Sequence, residues 1–359
     1  MNENENIKIV TIAGTRPEII KLSSLIPLLY KYNHIFLYTG QHYSDNMKDI
    51  FFDELDLKPD IDLKCNTSDV PTIKDNLIKV LNDIHPNYIQ IYGDTNSSMA
   101  AALAAKELDI RLIHIEAGVR DFDLAVPEES IRIFIDSISD YLFVPSKLSQ
   151  TILTYEDVKG KVFFTGNLIV DVCMKLSTIA KQKYYMNYNE NEYVLLTIHR
   201  PENSDDPLKL EKLVNHLKEI KYQVVFPIHP RTKNNLEKYE LNMPNNVRVI
   251  NAVGYLEFLN LLMNCKLVLT DSGGVQEESI ILKKPCITLR HTSARWETIL
   301  LKNNMLFPLD RTDSLNDVIE SMVNTKINKN PYGENVAYTI INILDKILKN
   351  NVNENILRP

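Results

Sequence analysis

Residues 7–21 read IKIVTIAGTRPEIIK, and the order of residue types in this stretch decides the fold. Ile7–Ala13 is short and almost wholly apolar, which suits a parallel strand covered on both faces. Gly14 permits a tight turn, and Pro17 suits the first position of a helix that continues through Lys21. Arg16 and Lys21 then stand near a helix N-terminus, a place that attracts phosphate. The same device recurs in residues 267–279, LVLTDSGGVQEES. There the apolar strand Leu267–Thr270 precedes Ser272, Gly273 and Gly274, small residues that open a helix and leave backbone N–H groups for a diphosphate. Glu278 falls about one turn into that helix, where a carboxylate can accept from ribose hydroxyls.

Working outward, short apolar runs alternate with amphipathic segments. Ile7–Ala13, His34–Thr39, Tyr88–Tyr92, Arg111–Ile115, Tyr141–Val144 and Val162–Thr165 read as strands. Glu18–Tyr32, Met47–Leu55, Thr72–Ile84, Ser97–Leu108 and Glu128–Ser137 read as helices. The second half repeats the rhythm: strands at Tyr193–Ile198, Gln223–Ile228, Val247–Ile250, Leu267–Thr270 and Cys286–Leu289, helices at Leu208–Glu219, Leu256–Asn264 and Val275–Leu282. Two such runs imply an α/β protein with two doubly wound parallel sheets. The boundary falls at Gly166–Asn167, giving domains 1–167 and 168–333, with a last helix in 334–359. Lys181–Glu192 reads as an exposed loop. Ligands of open α/β sheets bind at the carboxyl ends of the strands, so two sheets facing a central cleft would place the chemistry there.

Bulk properties narrow the partners. A length of 359 residues favours about two domains. The net charge of −7 argues against nucleic acid, whose phosphates demand a basic face. Cys65, Cys173, Cys265 and Cys286 form no CxxC pair, so no metal site is expected. The N-terminus MNENENIKIV lacks an apolar signal core, and no apolar run approaches the roughly 18 residues of a membrane span. A cytoplasmic protein fits these features.

Acidic residues gather at strand ends of the first half. Asp94 follows Tyr88–Tyr92 in Gly-Asp-Thr-Asn, Glu116 follows Arg111–Ile115, and Glu128 and Glu129 follow Pro127 at a helix start. Singly, Asp94 reads equally well as an N-cap and the glutamates as complements of a helix dipole. Together at one sheet edge they suit proton transfer, in which a base and an acid have environments that spread their pKa values. His199 and Arg200 end the first strand of the second half, where a histidine can neutralise or protonate a departing phosphate. His229 is a parallel case, and His114, inside a strand, reads as a packed core residue.

In this order, GTRPE with Lys21, GQH at Gly40–His42, GDT at Gly93–Thr95, HIEAGVR, PEE with Arg132, His-Arg-Pro-Glu-Asn from His199 and DSGGVQEES resemble the non-hydrolysing UDP-N-acetylglucosamine 2-epimerases, over roughly Ile7 to Leu309. The resemblance implies a GT-B architecture, two Rossmann-like domains with a C-terminal helix packing back on the first, and a homodimer without metal or other cofactor. It implies anti elimination of UDP from a UDP-sugar to 2-acetamidoglucal and re-addition with C2 protonated from the opposite face. Asp94, Glu116 and Glu128 take its acid–base positions, with His199 beside them; which carboxylate is acid and which is base stays open. Arg16, Lys21 and His199 would face the diphosphate with Ser272, Gly273 and Gly274. Glu278 would hold the ribose, Phe258 matches an aromatic position near uracil, and Arg295 matches a family arginine. Gln41 and His42 match the site of an activating second UDP-sugar. Three stretches depart from the family: Ser293-Ala294-Arg295-Trp296-Glu297; Asp-Phe-Asp-Leu-Ala-Val between Arg120 and Pro127, which replaces a more basic segment; and Lys64–Val70, to which a Gly/Ser-rich loop is reduced. Expected alternatives are a UDP-2,3-diacetamido-glucuronate epimerase and a GT-B glycosyltransferase.

Overall fold

The computed structural model describes residues 7–41, 55, 57–184, 191–327 and 329–356. The chain divides into two compact units, Met1–Val172 with Tyr332–Pro359, and Cys173–Pro331.

In the first unit the strands are β1 (Lys8–Ala13), β2 (Asn33–Tyr38), β3 (Ile61–Asp62), β4 (Tyr88–Tyr92), β5 (Arg111–Ile115), β6 (Tyr141–Val144) and β7 (Lys161–Phe164). They form one parallel sheet in the order β3-β2-β1-β4-β5-β6-β7. The second unit contains β8 (Tyr193–Thr197), β9 (Gln223–Pro227), β10 (Val247–Ile250), β11 (Leu267–Thr270), β12 (Cys286–Thr288) and β13 (Asn304–Leu306). Its parallel sheet runs β10-β9-β8-β11-β12-β13. Each order reverses direction once, between β1 and β4 and between β8 and β11. At such a switch point neighbouring connections leave to opposite faces and open a crevice at the strands' carboxyl ends.

Coverage of both faces explains why the strands read as unbroken apolar runs. Along β8, Val194 and Leu196 enter one buried cluster with Leu213, Phe226 and Leu269. Tyr193 and Leu195 enter another with Val225, Leu262 and Val268. In the first unit, the buried alanines 100–102, 104 and 105 share a cluster with Ile73, Leu77, Ile89 and Ile91. Their small side chains let the helix Asn96–Glu107 lie close against its neighbours.

Beyond shifts of a residue or two at the ends, two readings change. The single helix over Glu18–Tyr32 is in fact two, Arg16–Leu22 and Ile26–Leu29. The Ser23 hydroxyl donates to the Ile20 carbonyl at 2.7 Å and that of Ser24 to the Lys21 carbonyl at 3.2 Å, while Pro27 lacks the amide a continuous helix needs. Helix also persists to Lys183, into the segment read as a loop from Lys181. The helix read at Met47–Leu55 lies, except for Leu55, outside the described residues.

The last helix, Val336–Ile356, belongs to the first unit. The Asp171 carboxylate accepts from the Val336 and Ala337 amides at 3.1 and 2.7 Å, capping its start. Further along, Asp345 accepts from Lys31 Nζ and the Tyr32 hydroxyl, each at 2.7 Å. The chain re-enters against Gly166, φ +89°, where a Cβ would lie 2.3 Å from the Tyr332 carbonyl oxygen. Among the described residues no helix is long and apolar enough to cross a membrane.

Candidate active site

Charged side chains collect at both switch points. In the first unit, Gly14 is demanded by space: a Cβ would sit 1.9 Å from Ser97 Oγ and 2.5 Å from Thr39 Oγ1. Glu18, 3% exposed, binds the two turns of the crevice together. Its Oε2 accepts from the Gly14 and Thr15 amides at 3.0 and 2.7 Å and from the Thr15 hydroxyl at 2.7 Å. Oε1 accepts from the Thr95 and Ser98 hydroxyls at 2.9 and 3.0 Å. Burial pushes this carboxyl up, and the donors from Thr15, Gly14, Thr95 and Ser98 pull against it.

Lys21 is buried with Nζ 2.7 Å from Glu116 Oε2. The Tyr92 hydroxyl donates to the same oxygen, and the ammonium lies 5.3 Å from the Tyr92 ring centroid. The resemblance implies Lys21 at the diphosphate; the structure sets it on a carboxylate. Glu116 itself has φ +72°. A side chain held in the left-handed region costs about 1–3 kcal/mol and persists where surrounding structure over-determines it, often at functional sites.

Asp94 follows Gly93 and receives Arg132 Nε at 2.6 Å; Nη1 of the same guanidinium reaches Asp121 at 2.9 Å and Glu129 at 3.0 Å. Glu128 is half-buried in the first turn of the helix Pro127–Ile138 that carries Arg132. Asp94 and Glu116 thus leave adjacent parallel strands, and the helix beginning with Glu128 reaches Asp94 through Arg132. Arg16 is exposed at the start of its own helix. Gln41 is buried, its Oε1 accepting from the Ser97 amide at 3.0 Å and hydroxyl at 2.8 Å, so it holds a helix start in place. His42 lies outside the described residues.

In the second unit β8 and β11 bring His199 against Asp271. The fully buried Asp271 accepts from the His199 amide at 3.2 Å and the Arg200 amide at 2.9 Å, and its Oδ1 lies 3.2 Å from His199 Nδ1. Burial pushes the Asp271 carboxyl up, but the contact and charge of His199 with these two amides hold it below the usual carboxylate range. The His229 ring lies 6.2 Å from that of His199. Burial, then the charges of His199 and Arg231, lowers the His229 pKa.

Beside this pair begins the helix Gly273–Ile281, capped by Ser272, whose Oγ accepts from the Val275 amide at 3.5 Å. A Cβ at Gly273 would meet nothing within 4 Å, so the helix start borders open space. Amides pointing from such a start attract an anion. Glu278 is buried and accepts from the Tyr255 hydroxyl at 2.8 Å. Arg295 Nε lies 2.5 Å from Glu277 Oε1, both side chains buried. Phe258 is partly buried against the cluster containing Leu261 and Val275.

The family model described as UDP-N-acetylglucosamine 2-epimerase matches residues 30–345. The chain belongs to the UDP-N-acetylglucosamine 2-epimerase family. A Methanococcus maripaludis protein named UDP-N-acetylglucosamine 2-epimerase is 41% identical, over 94% of this chain and 98% of that protein. A Pseudomonas aeruginosa family member named UDP-2,3-diacetamido-2,3-dideoxy-D-glucuronate 2-epimerase is 36% identical, over 90% of this chain and 93% of its own length. The crystal structure of the Methanocaldococcus jannaschii UDP-GlcNAc 2-epimerase in complex with UDP-GlcNAc and UDP is 40% identical and covers 95% of this chain and 100% of that one, with a TM-score of 0.86. Against these epimerases the two parallel-sheet α/β units are GT-B-like, as the motifs imply.

Several members of these two charged clusters were not evident from the sequence. Asp271 carries no role in the sequence reading of its motif, although an acid at a strand's carboxyl end before Ser-Gly-Gly is a usable signal. Tyr92 gave none, because a tyrosine ending an apolar strand reads as core. Arg132 and Glu18 read as motif residues only; Asp94, 38 residues from Arg132, and Thr95 and Ser98, 77 and 80 residues from Glu18, come near them only in the fold.

Proposed function

We propose that this protein interconverts UDP-N-acetylglucosamine and UDP-N-acetylmannosamine. A base removes the C2 proton while the C1–oxygen bond to UDP breaks on the opposite face, leaving the C1–C2 double bond of 2-acetamidoglucal. UDP then adds back to C1, and C2 takes a proton from the other side. The observation that carries the reading is Glu116, a buried carboxylate held in left-handed backbone between Lys21 and the Tyr92 hydroxyl, one strand from Asp94. An adjacent cation favours an ionised carboxylate, the form a base needs. Asp94, tied to Arg132, and Glu128 complete the set from which acid and base are drawn.

Because C2–H is weakly acidic, stabilising the departing diphosphate matters as much as the base. We assign that work to Arg16, His199 and the helix start at Ser272, Gly273 and Gly274. Asp271 keeps His199 oriented with its Nδ1 side on a carboxylate, so that Nε2 is left for the phosphate. Glu278 takes the ribose and Phe258 borders the uracil. Arg295 acts through Glu277, one residue from Glu278. The M. jannaschii relative's complex with UDP-GlcNAc and UDP supports this ligand class.

A second reading, a 2-epimerase of UDP-2,3-diacetamido-glucuronate, has the P. aeruginosa relative behind it. A carboxylated sugar calls for an added cation, and Asp121-Phe122-Asp123-Leu124-Ala125-Val126 supplies none. Following both UDP-sugars by proton NMR separates the two: conversion of UDP-GlcNAc is expected, and conversion of the diacetamido-glucuronate alone would overturn the assignment.

A further inference from the structure

The helix Pro127–Ile138 does more than begin with Glu128. Glu128, Arg132 and Asp136 are spaced four residues apart, which puts them in one row along the helix. Arg132 binds Asp94. Asp136, 1% exposed, sits about one turn beyond Arg132 on the same helix. Its Oδ1 lies 2.7 Å from His114 Nδ1, and the other ring nitrogen of His114 is 3.0 Å from the Gly93 carbonyl oxygen. Its Oδ2 accepts from the Gly118 amide at 3.0 Å and lies 2.7 Å from Arg120 Nη2. Arg120 is 2% exposed, and its guanidinium is closed off on the far side by Glu156, at 2.8 and 2.6 Å.

Gly93 immediately precedes Asp94, and both Gly93 and Gly118 have positive φ, +65° and +75°. Glu116 lies between His114 and Gly118, so both ends of its turn are tied to Asp136. The carbonyl of Gly93 accepts only, so His114 Nε2 must donate to it. A donor fixed from a strand interior, itself fixed by a buried carboxylate, leaves this turn little freedom. Neither His114, Asp136 nor Arg120 has work in the proton transfers described above.

We propose that Asp136 is a positioning residue that sets Asp94 and Glu116 together: Asp94 through His114 and the Gly93 carbonyl, Glu116 through His114, the Gly118 amide and Arg120. This inference rests on the acid–base roles given to those two carboxylates. It explains why HIEAGVR carries a histidine and an arginine on either side of its glutamate: both hold the same buried aspartate. Glu128 rides on the same helix, so one element registers all three carboxylates.

The test is Asp136→Asn in the full chain, which keeps the side chain's shape and removes its charge. Backbone amide exchange is measured first, since it needs no substrate. Faster exchange is expected at residues 93–95 and 116–118, with residues 271–281 unchanged as an internal reference. Turnover of UDP-GlcNAc should show kcat lowered at least about tenfold, with KM and the calorimetric Kd for UDP within about threefold, because small displacements of reacting groups cost rate more than affinity. Should Asp136→Asn fail to fold, His114→Gln cuts the links that run through His114, leaves those through the Gly118 amide and Arg120, and should quicken exchange at 93–95 with the same kcat-only loss. Unchanged exchange, or wild-type kcat with a folded variant, would overturn the positioning role. Wild-type protein inert towards UDP-GlcNAc would instead sink the proposed reaction, and the exchange data would still decide the positioning claim.

Discussion

At the residue scale, each carboxylate is set apart by what it touches. Asp94 has a guanidinium beside it, Glu116 an ammonium and a phenol, while Glu18 is surrounded by amide and hydroxyl donors. Asp94→Asn, Glu116→Gln and Glu128→Gln are each expected to lower kcat by more than about 10²-fold while calorimetry still finds UDP bound. Near wild-type turnover in all three would remove them from the chemistry. Gly14 answers to space instead of charge. Gly14→Ala drives a methyl group into Ser97 Oγ, 1.9 Å away, and is expected to cost at least about 2 kcal/mol, read as a fall in the urea midpoint. Equal midpoints would mean that the crevice turn is looser than these contacts. None of these pairings was legible in advance. Lys21 and Glu116 are 95 residues apart, and His199 and Asp271 are 72, so only the strand order brings them together.

At the scale of elements, strands were the most legible. Burial on both faces makes the inner strands apolar runs, and β4, β5, β6, β10 and β11 fall on the expected residues. The two-residue β3 is too short to leave a pattern. Helices without an apolar stripe also escaped: Pro230–Lys238 buries only Thr232 and Leu236, and is started by His229 Nδ1 accepting from the Arg231 amide. Between strands, one polar contact makes stability depend on pH. His34 on β2 meets the Thr11 hydroxyl of β1 through Nε2 at 2.8 Å, and Gln90 of β4 donates to that hydroxyl at 3.1 Å. Among the described residues His34 Nδ1 has no hydrogen-bond partner. Burial lowers the His34 pKa from 6.5 to about 4, against a weaker opposing pull from Asp60. Above pH 6.5 the ring is neutral whether the chain is folded or not. As pH falls through that value only the unfolded chain gains the proton, so stability drops towards pH 4, by on the order of 3 kcal/mol. Urea titrations between pH 7 and 4 should show this slope in the wild type and a flatter one in His34→Gln; parallel slopes would contradict it.

At the scale of the whole molecule, the alternation of strands and helices announced two parallel-sheet units, and the ordered motifs announced the family. The return of the last helix to the first unit was legible only through that resemblance, because its contacts depend on Asp171, Lys31 and Tyr32. At this scale the proposed reaction is proton transfer at C2 coupled to loss and return of UDP at C1. The most direct test is to incubate the protein with UDP-GlcNAc in D2O and follow C2 by NMR. One solvent deuteron at C2 of the UDP-ManNAc formed, and of the UDP-GlcNAc regenerated from it, is the expected result. UDP-ManNAc that appears with its original C2 proton fully retained would contradict the account.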